Sequence, residues 1–97
     1  MIKKTLYFGN PAYLSLRNGQ LVIRLPEVEK SNLTEQLKAA NVRTFPIEDL
    51  GVIVLDNKQI TITQGLLEAL LANNSAVVTC DSKRMPTGLL LPLSGNT

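Results

Sequence analysis

The sequence has no histidine and no tryptophan, one cysteine, and only two tyrosines and two phenylalanines in 97 residues. Each shortage excludes something. Without histidine, the commonest general base and a common metal ligand are missing, and no serine has a partner for a histidine-dependent triad. A lone cysteine forms no internal disulfide, which fits a reducing, cytoplasmic location. Cys80 closes an apolar run and reads as a small buried hydrophobe rather than a reactive thiol. No apolar run approaches the ~20 residues that span a bilayer, so no membrane partner is expected. The opening Met1-Ile2-Lys3-Lys4 lacks the apolar core of a signal peptide. Neither common glycine-rich phosphate loop is present. Carboxylates are scattered; the adjacent pair Glu48-Asp49 would point to opposite faces of a strand and reads as a turn. No metal ligand set is assigned, and no cofactor is expected in this chain. Ten basic residues oppose eight acidic ones, a net charge of +2 that is too small to argue for nucleic-acid binding from composition.

What is present is the length of one domain, 1–97, whose apolar residues fall into short β-branched runs bounded by turn residues. Thr5-Leu6-Tyr7-Phe8 reads as a first strand, ended by Gly9-Asn10-Pro11. Residues 12–25 read as a hairpin, because Asn18-Gly19 is the preferred pair for a two-residue type I′ turn. That turn sets Leu16 opposite Leu21, Leu14 opposite Ile23 and Ala12 opposite Leu25 on one apolar face. The other face carries Arg17 opposite Gln20, Ser15 opposite Val22, and Tyr13 opposite Arg24, the last a candidate stacked pair. Pro26 stops the second strand. Residues 26–43 read as a surface excursion with a short helix over 33–40, capped by Ser31 or Asn32. A strand resumes at 44–47.

Residues 45–81 hold the organising unit. The buried-looking Gly51-Val52-Ile53-Val54-Leu55 and the apolar 76–80 read as strands. Between them Leu66, Leu67, Leu70 and Leu71 recur at helical spacing over 64–72. Thr63, or Thr61 with Gln64 in a capping box, starts that helix, and Asn73-Asn74 ends it. The segment between the strands is long enough for a parallel crossover. The expected fold is α+β: a β-rich domain of two small packed sheets, with a β-hairpin and one main covering helix. Leu67, Leu70, Leu71, Val54 and Val78 are the expected core contacts. Lys83 and Arg84, adjacent on a loop tip, are candidate DNA-phosphate contacts; Arg17 and Arg24, on the open hairpin face, are further candidates. Leu89, Leu90, Leu91 and Leu93 form a final strand that Pro92 marks as an edge, and they are candidate dimer contacts. Residues 94–97 read as the start of a linker.

The run from Pro46-Ile47-Glu48-Asp49-Leu50 through Leu55-Asp56, the helix, and above all the loop Cys80-Asp81-Ser82-Lys83-Arg84-Met85-Pro86-Thr87-Gly88 resemble the amino-terminal domain of the CRISPR-associated endonuclease that integrates spacers, most strongly its type II versions. The resemblance begins near Tyr13, and the 26–43 excursion is longer than the family pattern. It implies a β-rich domain that precedes a helical, catalytic one. In the family the helical domain carries the acidic residues and the histidine that hold magnesium or manganese and cut or join DNA. None of those positions exists in this chain, so no catalytic residue carries over. The implied role is non-catalytic dimerisation and DNA positioning in antiviral defence. The implied partners are a second copy, DNA bound weakly without sequence preference, and the partner protein of the integration complex. A free-standing homodimeric interaction module without a DNA role is the alternative. A small enzyme using carboxylates alone is a third reading, disfavoured by the missing carboxylate cluster.

Overall fold

The computed structural model describes residues 3–29 and 31–93; the linker expected at 94–97 lies outside them. In chain order, β1 (Lys4–Phe8), β2 (Ala12–Arg17) and β3 (Gln20–Arg24) come first, followed by α1 (Pro26–Glu29), α2 (Glu35–Ala40) and β4 (Arg43–Pro46). A single 3-10 turn at Ile47–Asp49 leads into β5 (Leu50–Leu55), β6 (Ile60–Ile62), α3 (Gln64–Ala72), β7 (Ala76–Cys80) and β8 (Pro86–Leu90). Two four-stranded sheets result, one in the order β1-β5-β7-β8 and the other β4-β3-β2-β6. The fold is the expected α+β arrangement of two small sheets with few helices.

Asn18 and Gly19 both have positive φ, 52° and 73°, the condition for a type I′ turn. The hairpin register follows from it: Leu16 faces Leu21, Leu14 faces Ile23 and Tyr13 faces Arg24. Its burial differs from the expected division of faces. Leu16 is exposed, whereas Val22, on the face expected to be open, is buried. β6 pairs with β2 only at Ala12, Tyr13 and Leu14, so among the described residues no strand flanks Leu16 on that side.

The crossover is present. β5 and β7 are parallel, with Val54 opposite Val78, and α3 lies between them in sequence. Thr63 is the N-cap, accepting the Leu66 amide at 3.3 Å. The helix ends at Asn73, followed by Asn74 at φ 62°, a left-handed residue of the kind that closes helices. Its buried face is Leu66 and Leu70, both fully excluded from solvent, with Leu67 packed beside them. They meet Leu14 and Leu21 of one sheet and Leu50, Ile53 and Val77 of the other in one cluster. The expected core is corrected here. Leu66, Ile53 and Val77 occupy its centre, while Leu71, Val54 and Val78 are only half-buried. Side chains alternate across a strand, so Ile53 and Val77, cross-strand partners, take the face that Val54 and Val78 do not.

In the 26–43 segment, Pro26 opens α1 rather than merely stopping β3, a position where its missing N–H costs nothing. Thr34 starts α2, accepting the Leu37 amide at 3.2 Å. Ser31 is engaged elsewhere, donating to the Val28 carbonyl at 2.6 Å. Glu48 and Asp49 fall in the 3-10 turn.

Candidate nucleic-acid interface and assembly edge

β1, β5 and β7 run parallel, and their carboxyl ends meet the loop that joins β7 to β8. Asp81 organises that loop. Its carboxylate accepts the amides of Lys83 at 2.9 Å and Met85 at 3.1 Å, and its own amide donates to the Met85 carbonyl at 2.9 Å. Arg84 is left-handed, with φ 63°. Only Gly, Asn and Asp visit that region routinely, so local hydrogen bonds and the arginine's own contacts must hold it there.

Lys83 and Arg84, the adjacent candidate phosphate contacts, differ in their surroundings. Arg84 Nη1 reaches Asp56 Oδ2 at 3.2 Å and the Tyr7 hydroxyl at 3.3 Å. The Tyr7 hydroxyl also donates to Asp56 Oδ2. Asp56 is 5% exposed and follows β5, while Tyr7 lies on β1, so three segments are tied at one carboxylate. Gly9 makes room for the phenol, because a Cβ there would lie 2.9 Å from Tyr7 Cε2. The hydrogen bond to Asp56 raises the Tyr7 phenol above its ordinary range, with desolvation adding to it. The bond that Arg84 donates to the Tyr7 hydroxyl raises its guanidinium, and Asp56 raises it further. A raised phenol contributes stability that is complete below its unfolded value of about 10 and is lost as pH rises through the folded value. The phenol of this latch therefore stays protonated and the guanidinium charged across the neutral range.

Lys83 makes no ion pair among the described residues. It is the free charge of the loop. Beside it Asp56, Lys58, Cys80, Ser82 and Arg84 line an open hollow of about 250 Å³. Burial first, then the neighbouring Asp56 and Asp81 carboxylates, push the Cys80 thiol up, away from the reactive thiolate. Among the described residues no group of three or more histidine, cysteine, aspartate or glutamate side chains is placed to hold a metal. No helix there is long and apolar enough to cross a membrane.

The other candidate cations are not gathered with Lys83. Arg17 lies at the hairpin tip opposite Gln20. The neighbouring Gly19 carbonyl accepts the Ile47 amide at 3.0 Å, which puts this tip at the end where β5 begins. Lys83 lies at the opposite end, beyond the finish of β7. Arg24 keeps its cross-strand place opposite Tyr13. Lys4 and Arg43 instead flank Phe45, each 5.7 Å from the ring centroid. The sequence reading missed Tyr7, Asp56 and Arg43. No local signal marked the first two, whose contact spans 49 residues of chain.

The final strand is an edge, but it runs from Pro86 to Leu90 rather than from Leu89 to Leu93. Pro86 starts it, as proline at a strand's first position is free to do, and Leu91 and Leu93 follow its end. Leu89 and Leu90 point to opposite faces and are 57% and 46% exposed; Leu91 and Leu93 are exposed too.

The chain is 32% identical over 92 residues to the CRISPR-associated endonuclease Cas1 of Neisseria meningitidis serogroup C (strain 8013), a match that covers 95% of this chain and 26% of that protein. It thus spans about a quarter of the length of the curated relative. No family model matches the chain. Among solved structures, the TtCas1–DNA complex superposes with a TM-score of 0.67 at 19% identity, over 92% of this chain and 28% of that one. A Cas1 protein from Thermotoga maritima gives a TM-score of 0.69 at 11% identity, over 95% and 25%. A partial Cas6-RT-Cas1–Cas2 complex gives 0.70 at 15% identity, over 92% and 23%. At these identities the structures share the fold. The resemblance carried by the 45–81 unit and the Cys80-to-Gly88 loop holds across nearly the whole chain.

Proposed function

Because the chain resembles, over nearly all its length, the amino-terminal domain of the Cas1 endonucleases, we propose that it is the non-catalytic dimerisation and DNA-positioning part of a spacer-integrating endonuclease of antiviral defence. One observation carries the assembly half of this reading. The β8 edge leaves leucines open on both of its faces, and such an edge is a template for pairing or a patch for covering. A two-fold contact covers the same patch on both subunits. Light scattering is expected to give twice the 10.6 kDa chain mass. Leu89→Asp should return it to the monomer without loss of fold, since the side chain is exposed. A wild-type monomer that persists at high concentration rejects the dimer.

Lys83 supplies the DNA half. Arg84 gives much of its charge to Asp56, so its part is to hold the loop while Lys83 meets phosphate. Duplex affinity should fall as salt rises, with a log–log slope of about −0.9 for each phosphate neutralised. Lys83→Ala should make the slope shallower by about 0.9 per subunit engaged and weaken unrelated sequences alike. Equal affinities and slopes for variant and wild type would leave the chain as a dimeric interaction module without a DNA role. Magnesium or manganese added to the same mixtures should leave the DNA uncut, because the metal-holding residues of the family belong to its helical domain. The whole enzyme's metal, its integration activity and the partner protein of the integration complex are part of this same proposal.

A further inference from the structure

We infer that the seam between the two sheets holds a nucleotide-phosphate site, with Lys4 and Arg43 as its cations. The site is separate from the Lys83 loop and does not rest on the assembly or DNA reading above.

Sheet edges converge at this seam. β1 is the outer strand of one sheet and β4 the outer strand of the other. Arg43 and Phe45 lie on one face of β4, opposite Ile23 and Leu21 of β3, so they stand at the rim of the core-facing side. Lys4 approaches from β1. Both cations lie 5.7 Å from the centroid of the Phe45 ring. A ring face accounts for one cation at modest gain. Two cations around one ring repel each other, and neither makes an ion pair with a carboxylate among the described residues. Being unpaired does not by itself set them apart, since Arg17, Arg24, Lys58 and Lys83 also lack an ion pair among the described residues; sharing one ring does.

A second observation points to what offsets the charge. Arg43 also lines a cavity of about 260 Å³ that opens beside it along the seam. Its polar lining is Tyr7, Asn10 and Asn41, and no carboxylate among the described residues lines it. Asn41 already donates one amide hydrogen to the Leu37 carbonyl at 2.8 Å, which holds its side chain in place and leaves its second hydrogen. Ile23 and Leu25 give the cavity an apolar wall. An unpaired guanidinium, amide donors and an apolar wall, without an acid, suit a ligand with an anionic end and a flat, weakly polar body. Guanidinium matches phosphate by two parallel hydrogen bonds, and a sugar or base fits the wall. Lys4 lies outside the cavity lining, 5.7 Å from the Phe45 ring that Arg43 also approaches, and is the second phosphate contact of the proposed site.

Free nucleotides and the end of a single strand share this chemistry, and the test separates them. Titrate the full 97-residue chain, at low salt, with labelled oligothymidylate, with dTMP and ATP, and with pyrophosphate. Compare wild type with Arg43→Gln, Lys4→Gln, the double variant and Arg43→Lys, checking each by circular dichroism. The double variant should lose at least tenfold in affinity for oligothymidylate or for the free nucleotides. With oligothymidylate its salt slope should become shallower by about 0.7 for each phosphate released. Arg43→Lys should restore the slope but not the full affinity. Loss with oligothymidylate alone identifies a strand, and equal loss with ATP identifies a free nucleotide; either supports the site. Affinities unchanged in the folded double variant overturn it. Pyrophosphate bound as tightly as ATP overturns the nucleoside part.

Discussion

Leu70→Ala is expected to lower the stability of the chain by about 2–5 kcal/mol, the range for large-to-small changes in a packed core. Leu70 has no exposed surface and sits on the α3 face that meets both sheets. The lost methyl groups remove contacts with both layers at once, and neighbours held in two sheets collapse poorly into the space. For a chain whose whole stability is of the order of 5–10 kcal/mol, the loss approaches unfolding at body temperature. Glu68→Ala, on the exposed side of the same helix, should stay within about 0.5 kcal/mol. Thermal and urea melts of the two variants against wild type make the comparison. A Leu70→Ala melt that superposes on wild type would mean that α3 buries another face.

Asn73→Ala is expected to cost about 1–3 kcal/mol, for the loss of side-chain hydrogen bonds worth about 0.5–1.5 kcal/mol each, although the Ile47 carbonyl keeps the Leu50 amide and the Leu50 carbonyl keeps Ser75 Oγ. Its Nδ2 donates to the Ile47 carbonyl at 2.9 Å, to the Leu50 carbonyl at 3.1 Å and to Ser75 Oγ at 3.0 Å. Two hydrogens serve three acceptors, so one bond is shared. Ser75 is fully buried and donates on to the Leu50 carbonyl at 2.8 Å. One side chain thus ties the end of α3 to the 3-10 turn and to the start of β5. Alanine leaves the Ile47 carbonyl without this donor. Asn73→Asp should be worse than alanine, because it sets a charge against carbonyl oxygens. Adding Ser75→Ala to Asn73→Ala should cost less than the sum of the two single changes, since they share acceptors. Additive losses would show that the two side chains act independently.

Local chemistry was the readable part of this chain. Asn18-Gly19 fixed the turn and with it every pairing of β2 with β3. Thr63 and the spacing of Leu66 and Leu70 bounded α3, and the two β-branched runs around it identified the parallel crossover. The faces were harder. Alternation separates Leu16 from Val22 but does not say which one is covered: β6 stops at Leu14, short of Leu16, while Val22 lies on a strand paired on both sides. The latch was out of reach for a stronger reason. Arg84 meets Asp56 across 28 residues of chain and Tyr7 across 77, and no local pattern carries a contact of that separation. An arginine beside a lysine on a loop therefore looked like one of two equal charges. In the fold Arg84 braces the loop and Lys83 projects from it.

The placement of β6 has a consequence for how the molecule can be assembled or cut. β6 leaves the crossover between β5 and β7 to join the opposite sheet, alongside β2. The second sheet thus takes its strands from both sides of β5, a strand of the first sheet, and the first sheet in turn encloses the whole of the second in sequence. A backbone break anywhere between Arg17 and Ile60 divides both sheets at once. No contiguous fragment holds the first sheet without also holding the second. Pairings such as Lys4 with Leu50 must close long loops before they return any stabilisation, which places this small chain with slow, high-contact-order folders rather than with helical bundles of its size.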